Sequence, residues 1–285
     1  MLLKKFIVGI DHFMIEKKLK KIADEIRYLM IQSIRPLESH HIGCAFSIVD
    51  IVVFIYFKIL RVYPKNPKNE KRDIFILSKG HAALAVYATL QKKGFFSKKY
   101  LLNYDRDGSI LSEHINHQVP GVEISTGSLG HGLPIGVGWA ISFLRDDKKN
   151  KVYVLISDGE LNEGSNWEAI MFAAHHCLHN LIVILDNNEF QGYSSTKNVI
   201  NLSPLSKKLE DFGWNVYKID GHNFLNMENV FNKIKNNKNK KPNFIIAKTI
   251  KGKGLPGFEG KFESHYKSID QKTKETILKS FDINF

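Results

Sequence analysis

The sequence predicts an α/β fold, a single domain with a parallel β-sheet flanked by helices on both faces, and three observations predict it. Short apolar runs rich in Val, Ile and Leu recur along the chain: DIFILS at 73–78, VYVLI at 152–156, LIVIL at 181–185, NVYKI at 215–219 and NFIIAK at 243–248. The central runs are continuously apolar, as in parallel strands covered on both faces. Stretches of helical length separate these runs, and strands alternating with helices imply right-handed crossovers and parallel pairing. No long linker or internal repeat divides the 285 residues, so 1–285 is expected to form one domain.

The elements follow in order. Helical periodicity over 14–35 ends just before Pro36, whose ring disfavours helical backbone in the residue preceding it. A second helix is expected over 48–60, stopped by YPKNPKN. Its apolar run, IVDIVVFIYFKIL, is broken by Asp50 and Lys58, so it reads as a buried helix and not as a membrane span. After the 73–78 strand come a turn at Gly80 and His81 and an Ala-rich helix over 82–93. NWEAIMFAAHHC supplies a helix between the second and third strands, and a Lys/Asn-rich helix over 227–237 joins the last two. The N-terminus has no long apolar core and no small-residue cleavage site, so no signal peptide is expected.

Composition narrows the function classes. Cys44 and Cys177 are the only cysteines and lie in no metal-type spacing, which fits a reducing, cytoplasmic setting without disulfides. The net charge of +12 favours anionic partners such as diphosphates and sugar phosphates. Its lysines are scattered among Asn and Ile, however, and no interleaved basic and aromatic face points to nucleic acid. Neither a nucleic-acid nor a membrane partner is expected.

Ligands of parallel α/β sheets bind at the carboxyl ends of the strands, which directs attention to the residues after 156, 185 and 248. SDGELNEG places Asp158, a hard oxygen ligand, at one strand end, with Gly159 allowing close backbone approach. DNNEFQG places Asn188 at the next, 30 positions later. Alone, DG reads as a turn and NN as a loop pair; on successive strands they can meet in one crevice. A carboxylate, an amide oxygen and a main-chain carbonyl suit Mg2+, with Ca2+ or Mn2+ as alternatives. A helix starting near Asn166 is expected to aim its amides at an anion there. STGSLGHGLPIG, with Gly127, Gly130 and Gly132, is a second candidate phosphate cradle.

The stretch SDGELNEGSNWEAIMFAAHHCLHNLIVILDNN resembles the thiamine diphosphate motif, which opens with GDG and closes with a paired Asn; Ser157 stands in place of the first Gly. LSKGHAALAVYATL, HHIGCAFSIVDI, HINHQVPGVEISTGSLGHGLPIGVG and KTIKGKGLPGFEGKFESHYK look like transketolase segments, so the resemblance runs over about 27–267. It implies substrate-channel histidines at His81, His41, His114 and His265, which in that family bind sugar hydroxyls. It also implies cofactor contacts at Ser128, Leu129, Gly130, His131, Gly159, Glu160, Glu163 and Asn188, and a metal held by Asp158, Asn188 and the carbonyl of Phe190. Glu163 would lie at an interface between subunits, where the plain reading is an acid at a helix N-terminus. His175, His176, His179 and His222 are assigned no role.

A full transketolase continues into a pyrimidine-binding domain, which is expected to be absent from this chain. The resemblance therefore implies the amino-terminal subunit of a split transketolase. It would bind thiamine diphosphate and Mg2+ and transfer a two-carbon ketol unit from a ketose (phosphate) to an aldose (phosphate). Its partner would be a separate carboxy-terminal subunit, in an α2β2 assembly. A deoxyxylulose-phosphate synthase or a 2-oxoacid dehydrogenase alpha-type chain is the nearest alternative, against which SKGHA and STGSLGHG argue. A non-catalytic binding protein that keeps the fold is the alternative of another class.

Overall fold

The computed structural model describes residues 2–281, with side chains from residue 14 onward; residue 1 and residues 282–285 of the expected 1–285 domain lie outside the described residues. The first layer is helical: α1 (Leu2–Ser33), the short α2 (Ile42–Phe46) and α3 (Val49–Phe54). A π-helical turn over Ile55–Ile59 continues α3 and brings the chain to extended backbone at Leu60. The strand β1 (Ile74–Leu77) then leads through a 3-10 turn, Gly80–Ala82, into α4 (Ala83–Lys93), with α5 (Lys98–Leu101) beyond it. Next come α6 (Gly132–Arg145), β2 (Val152–Ser157), α7 (Gly164–His175) and β3 (Leu181–Asn187). The chain closes with α8 (Thr196–Val199), α9 (Leu205–Asp211), β4 (Asn215–Asp220), α10 (Phe224–Asn236), β5 (Asn243–Lys248) and α11 (Gln271–Ser280).

The five strands form one sheet in the order β1-β2-β3-β5-β4, and every pairing is parallel. Strand side chains alternate between faces. Phe75, Leu77, Tyr153, Leu155, Ile182 and Ile184 pack into one core with α1, α3, α4 and α10. Their neighbours Ile74, Ile76, Val152, Val154, Leu181 and Val183 pack into a second core with α6, α7 and α9. Two covered faces explain why β2 and β3 read as unbroken apolar runs. The edge strand β4 is only partly buried, in line with its more polar sequence.

Helix α6 is not expected from GLPIGVGWAISFLR, whose glycines and Pro134 disfavour helix. Packing supplies what propensity lacks. Pro134 falls in the first turn, where a missing N–H is harmless. Gly136 lies so close to the sheet that a Cβ there would sit 2.5 Å from Val154 Cγ2. The helix expected to start near Asn166 is α7, which begins at Gly164 after a 3-10 turn over Gly159–Asn162. Among the described residues no helix is long and apolar enough to cross a membrane.

Candidate active site

The carboxyl ends of β1, β2, β3 and β5 carry Ser78–His81, Asp158–Glu160, Asp186–Asn188 and Thr249–Lys251 into one crevice. Asp158 is 2% exposed. Its Oδ1 accepts from the Gly159 amide at 2.9 Å, and its Oδ2 from the Glu189 amide at 2.7 Å and the Thr196 hydroxyl at 3.0 Å. Burial, reinforced by the nearby Asp186 carboxylate, pushes its pKa up to about 6 against those donors. Asn188 donates from Nδ2 to Asp186 Oδ2 at 2.9 Å, which leaves its Oδ1 as the acceptor, 3.1 Å from the Phe190 amide. Asp158, Asn188 and Phe190, expected as metal ligands from sequence, are thus gathered at adjacent strand ends.

The glycine-rich loop is held from below. The Ser78 hydroxyl accepts from the Gly132 amide at 3.0 Å and donates to Glu160, whose Oε1 also accepts from the Gly130 amide at 2.9 Å. Glu160 is fully buried, and its other oxygen takes the Ser157 amide at 3.3 Å. Its carboxylate shapes the loop from beneath through these three hydrogen bonds. The amides of Gly130 and Gly132 are likewise spent on the protein, whereas those of Ser128 and Leu129 have no hydrogen-bond partner among the described residues. Gly130 has φ +83°, and a Cβ there would meet Ser165 Oγ at 2.6 Å and Glu163 Cβ at 2.7 Å. Glu163, just before α7, is exposed.

Four separate segments bring His41, His81, His114 and His265 together. The His41 ring lies 5.1 Å from His81, 6.1 Å from His114 and 5.2 Å from His265 between centroids. Burial, with Lys79 and the neighbouring rings, holds His81 well below the usual imidazole range. Burial and Lys251 bring His265 down to about 3. Both are therefore neutral imidazoles near pH 7, able to accept or donate a hydrogen bond but not charged.

Sequence reasoning passes over the groups beneath these residues. Lys79 and Asp186 form an ion pair at 2.5 Å, 1% and 0% exposed at the side chain. Asp186 also accepts from Ser47 Oγ at 2.7 Å and from the Thr249 hydroxyl. Burial opposes both charges, but the pair and its donors outweigh it, so Asp186 stays below and Lys79 above its ordinary range. Glu113 lies 3.2 Å from His41 Nδ1, and Lys251 Nζ lies 2.8 Å from His265 Nδ1. The signal that could have found two of them is position: Lys79 lies two residues beyond the buried strand β1, and Glu113 directly precedes His114.

These residues fit thiamine diphosphate with a divalent cation. The raised pKa of the buried Asp158 carboxylate is what a divalent cation beside it would offset, and the glycine-rich loop has unpaired amides for a phosphate. Buried polar atoms of Asn162, Asn166 and Gln191 in the same region also lack partners. Among the described residues no cluster of three or more His, Cys, Asp and Glu could hold a metal. A cation at Asp158 would therefore rely on amide, carbonyl and phosphate oxygens, the set that suits Mg2+.

Residues 18–284 match the family model of the transketolase thiamine diphosphate binding domain. The chain belongs to the transketolase family. One chain of the apulose-4-phosphate transketolase of Actinobacillus succinogenes, named as a subunit, is 41% identical over 254 residues, 89% of this chain and 90% of that protein. A 6-deoxy-6-sulfo-D-fructose transketolase subunit from Clostridium sp. strain MSTE9 is 38% identical, covering 88% of this chain and 91% of its own length. Among solved structures, the transketolase of Campylobacter jejuni superposes with a TM-score of 0.84 at 30% identity. That match covers 91% of this chain but 42% of the Campylobacter protein, so this chain spans less than half of a solved transketolase. The site therefore belongs to a transketolase-type, thiamine-diphosphate-binding domain, as the sequence motifs implied.

Proposed function

We propose that this chain is the amino-terminal subunit of a two-chain transketolase that transfers a two-carbon ketol unit from a ketose phosphate to an aldose phosphate. The observation that carries this reading is the cluster of His41, His81, His114 and His265, with His81 and Asp158 following the carboxyl ends of the neighbouring strands β1 and β2. In this reading Asp158, Asn188 and the Phe190 carbonyl hold Mg2+, and the amides of Ser128 and Leu129 receive the diphosphate. Gly159 lets the backbone come close, while Glu160 supports the loop from beneath. When bound, thiamine diphosphate supplies a stabilised carbanion next to a carbonyl. The four histidines bind sugar hydroxyls and exchange protons with them as the carbon–carbon bond breaks and forms. Glu163, exposed beside the loop, faces the partner.

Relatives of matching length are named as single subunits of transketolases, which supports a separate partner chain. In this reading that partner is a carboxy-terminal chain, in an α2β2 assembly in the cytoplasm. The apulose-4-phosphate name supports sugar phosphates as the substrate class. The test is native purification of this chain, identification of stoichiometric partners by mass spectrometry, and assay of the complex with thiamine diphosphate and Mg2+. Transfer of a ketol unit between sugar phosphates is expected. Release of CO2 from pyruvate by that complex, without ketol transfer, would overturn the reading in favour of a different thiamine diphosphate enzyme.

A further inference from the structure

We propose that Glu113 and Lys251 are positioning residues that set His41 and His265 in opposite tautomers, so that this wall of the site presents one ring-nitrogen acceptor and one ring N–H donor. The inference rests on the reading of these histidines as sugar-binding groups. Its basis is what each Nδ1 faces. His41 Nδ1 lies 3.2 Å from Glu113 Oε1, and an ionised carboxylate only accepts. Nδ1 must then carry the proton, which leaves the lone pair on Nε2. Glu113 does not depend on His41 for its place, because the same oxygen also takes the His40 backbone amide at 3.1 Å.

His265 is set the other way. Its Nδ1 lies 2.8 Å from Lys251 Nζ, and an ammonium has three hydrogens and no lone pair. Nδ1 must accept, so the proton sits on Nε2. The Cys44 thiol, 3.3 Å from the same Nδ1, can donate to it as well. The Nε2 edge faces the loop at Gly192, where an added Cβ would lie 3.6 Å away. The two rings are 5.2 Å apart.

The charged and titratable groups around the pair are few. His41 is faced by Glu113, His81, His114, His265 and Tyr266. His265 is faced by Lys251, Cys44, His41, His81 and Tyr266, with Lys79 also acting on it. A sugar hydroxyl needs a partner for its hydrogen and another for its lone pair. One acceptor and one donor on adjacent rings satisfy both needs, whereas two rings in the same tautomer would satisfy one of them twice.

The test reads tautomers directly, by long-range 1H–15N correlation spectra of the 15N-labelled full chain near pH 7.5. Single variants His41→Gln and His265→Gln assign the signals. In the wild type, His41 is expected to carry its proton on Nδ1 and His265 on Nε2. Glu113→Ala should release His41 toward the other tautomer, and Glu113→Gln, which keeps an acceptor oxygen, should preserve the wild-type pattern. Lys251→Met should raise the His265 titration midpoint by about one pH unit or more, the scale on which a neighbouring charge moves a side chain. His41 protonated on Nε2, or His265 on Nδ1, in the wild-type chain overturns the proposal even if Lys251→Met does not fold. Ketol transfer is measured separately, so a failure of the functional reading is distinguishable from a failure of the tautomer assignment.

Discussion

Replacing Lys79 by methionine should destabilise the chain severely, although Lys79 lies in SKGH, a segment that reads like a surface turn. Methionine keeps the unbranched length and removes the charge, so little cavity is created. What remains is the Asp186 carboxylate, 0% exposed, with hydrogen bonds from Ser47, Thr249 and Asn188 but no cation. Removing one partner of a buried ion pair costs about 3–5 kcal/mol, because the survivor's charge stays desolvated. With a urea m-value of about 3 kcal/mol/M, that corresponds to a fall in midpoint of roughly 1–1.7 M. Far-UV circular dichroism during urea titration of the two chains measures it. Lys79→Met/Asp186→Asn should recover more than half of the loss, since no uncompensated charge remains. A midpoint within about 0.3 M of wild type, the scale of an exposed pair, would refute the argument, as would a double variant less stable than the single one.

Three further outcomes are expected. Asp158→Ala should abolish Mg2+-dependent thiamine diphosphate binding in isothermal titration calorimetry while leaving the circular dichroism spectrum unchanged; retained affinity would remove Asp158 from the metal site. Gly130→Ala should lower stability by about 1–3 kcal/mol, from a positive φ combined with contacts under 3 Å, and thermal unfolding would report it. Glu113, half-buried, is held below its ordinary value of 4.5, first by its hydrogen bond to His41 and against the opposing effect of burial. A depressed carboxylate contributes stability that is present above its unfolded pKa and lost as pH falls through the folded value. Wild type should therefore lose more stability than Glu113→Gln as pH falls below about 4.5. Parallel pH profiles for the two proteins would show that the His41 contact contributes nothing.

Much of the site was legible because its chemistry is tied to strand ends. Asp158 and Asn188 each close an apolar run, and one crossover separates them, so their meeting follows from local pattern and right-handed connection. The histidines were legible only through resemblance: no periodicity marks His41, and its neighbour His265 lies far along the chain. Glu113 and Lys251 escaped notice because each is a common charged residue whose role exists only opposite a particular ring nitrogen. Helix α6 escaped because its glycines weaken a helix in isolation, and the close packing that uses them, such as Gly136 against Val154, appears only once the sheet is built.

The sequence by itself determined the strands, their parallel pairing and the segments that end at the crevice, because burial on both faces and the length of the crossovers are written in local composition. It also carried the thiamine diphosphate motif, whose residues are spaced by one strand-helix-strand unit. Only the tertiary structure decided the strand order β1-β2-β3-β5-β4, the burial of Lys79 on Asp186, and which donor or acceptor faces each histidine nitrogen. Those features depend on contacts between segments as much as 221 positions apart, as between Cys44 and His265. Over such separations the chain's local preferences carry no information about who meets whom; the packing of helices on the sheet supplies it.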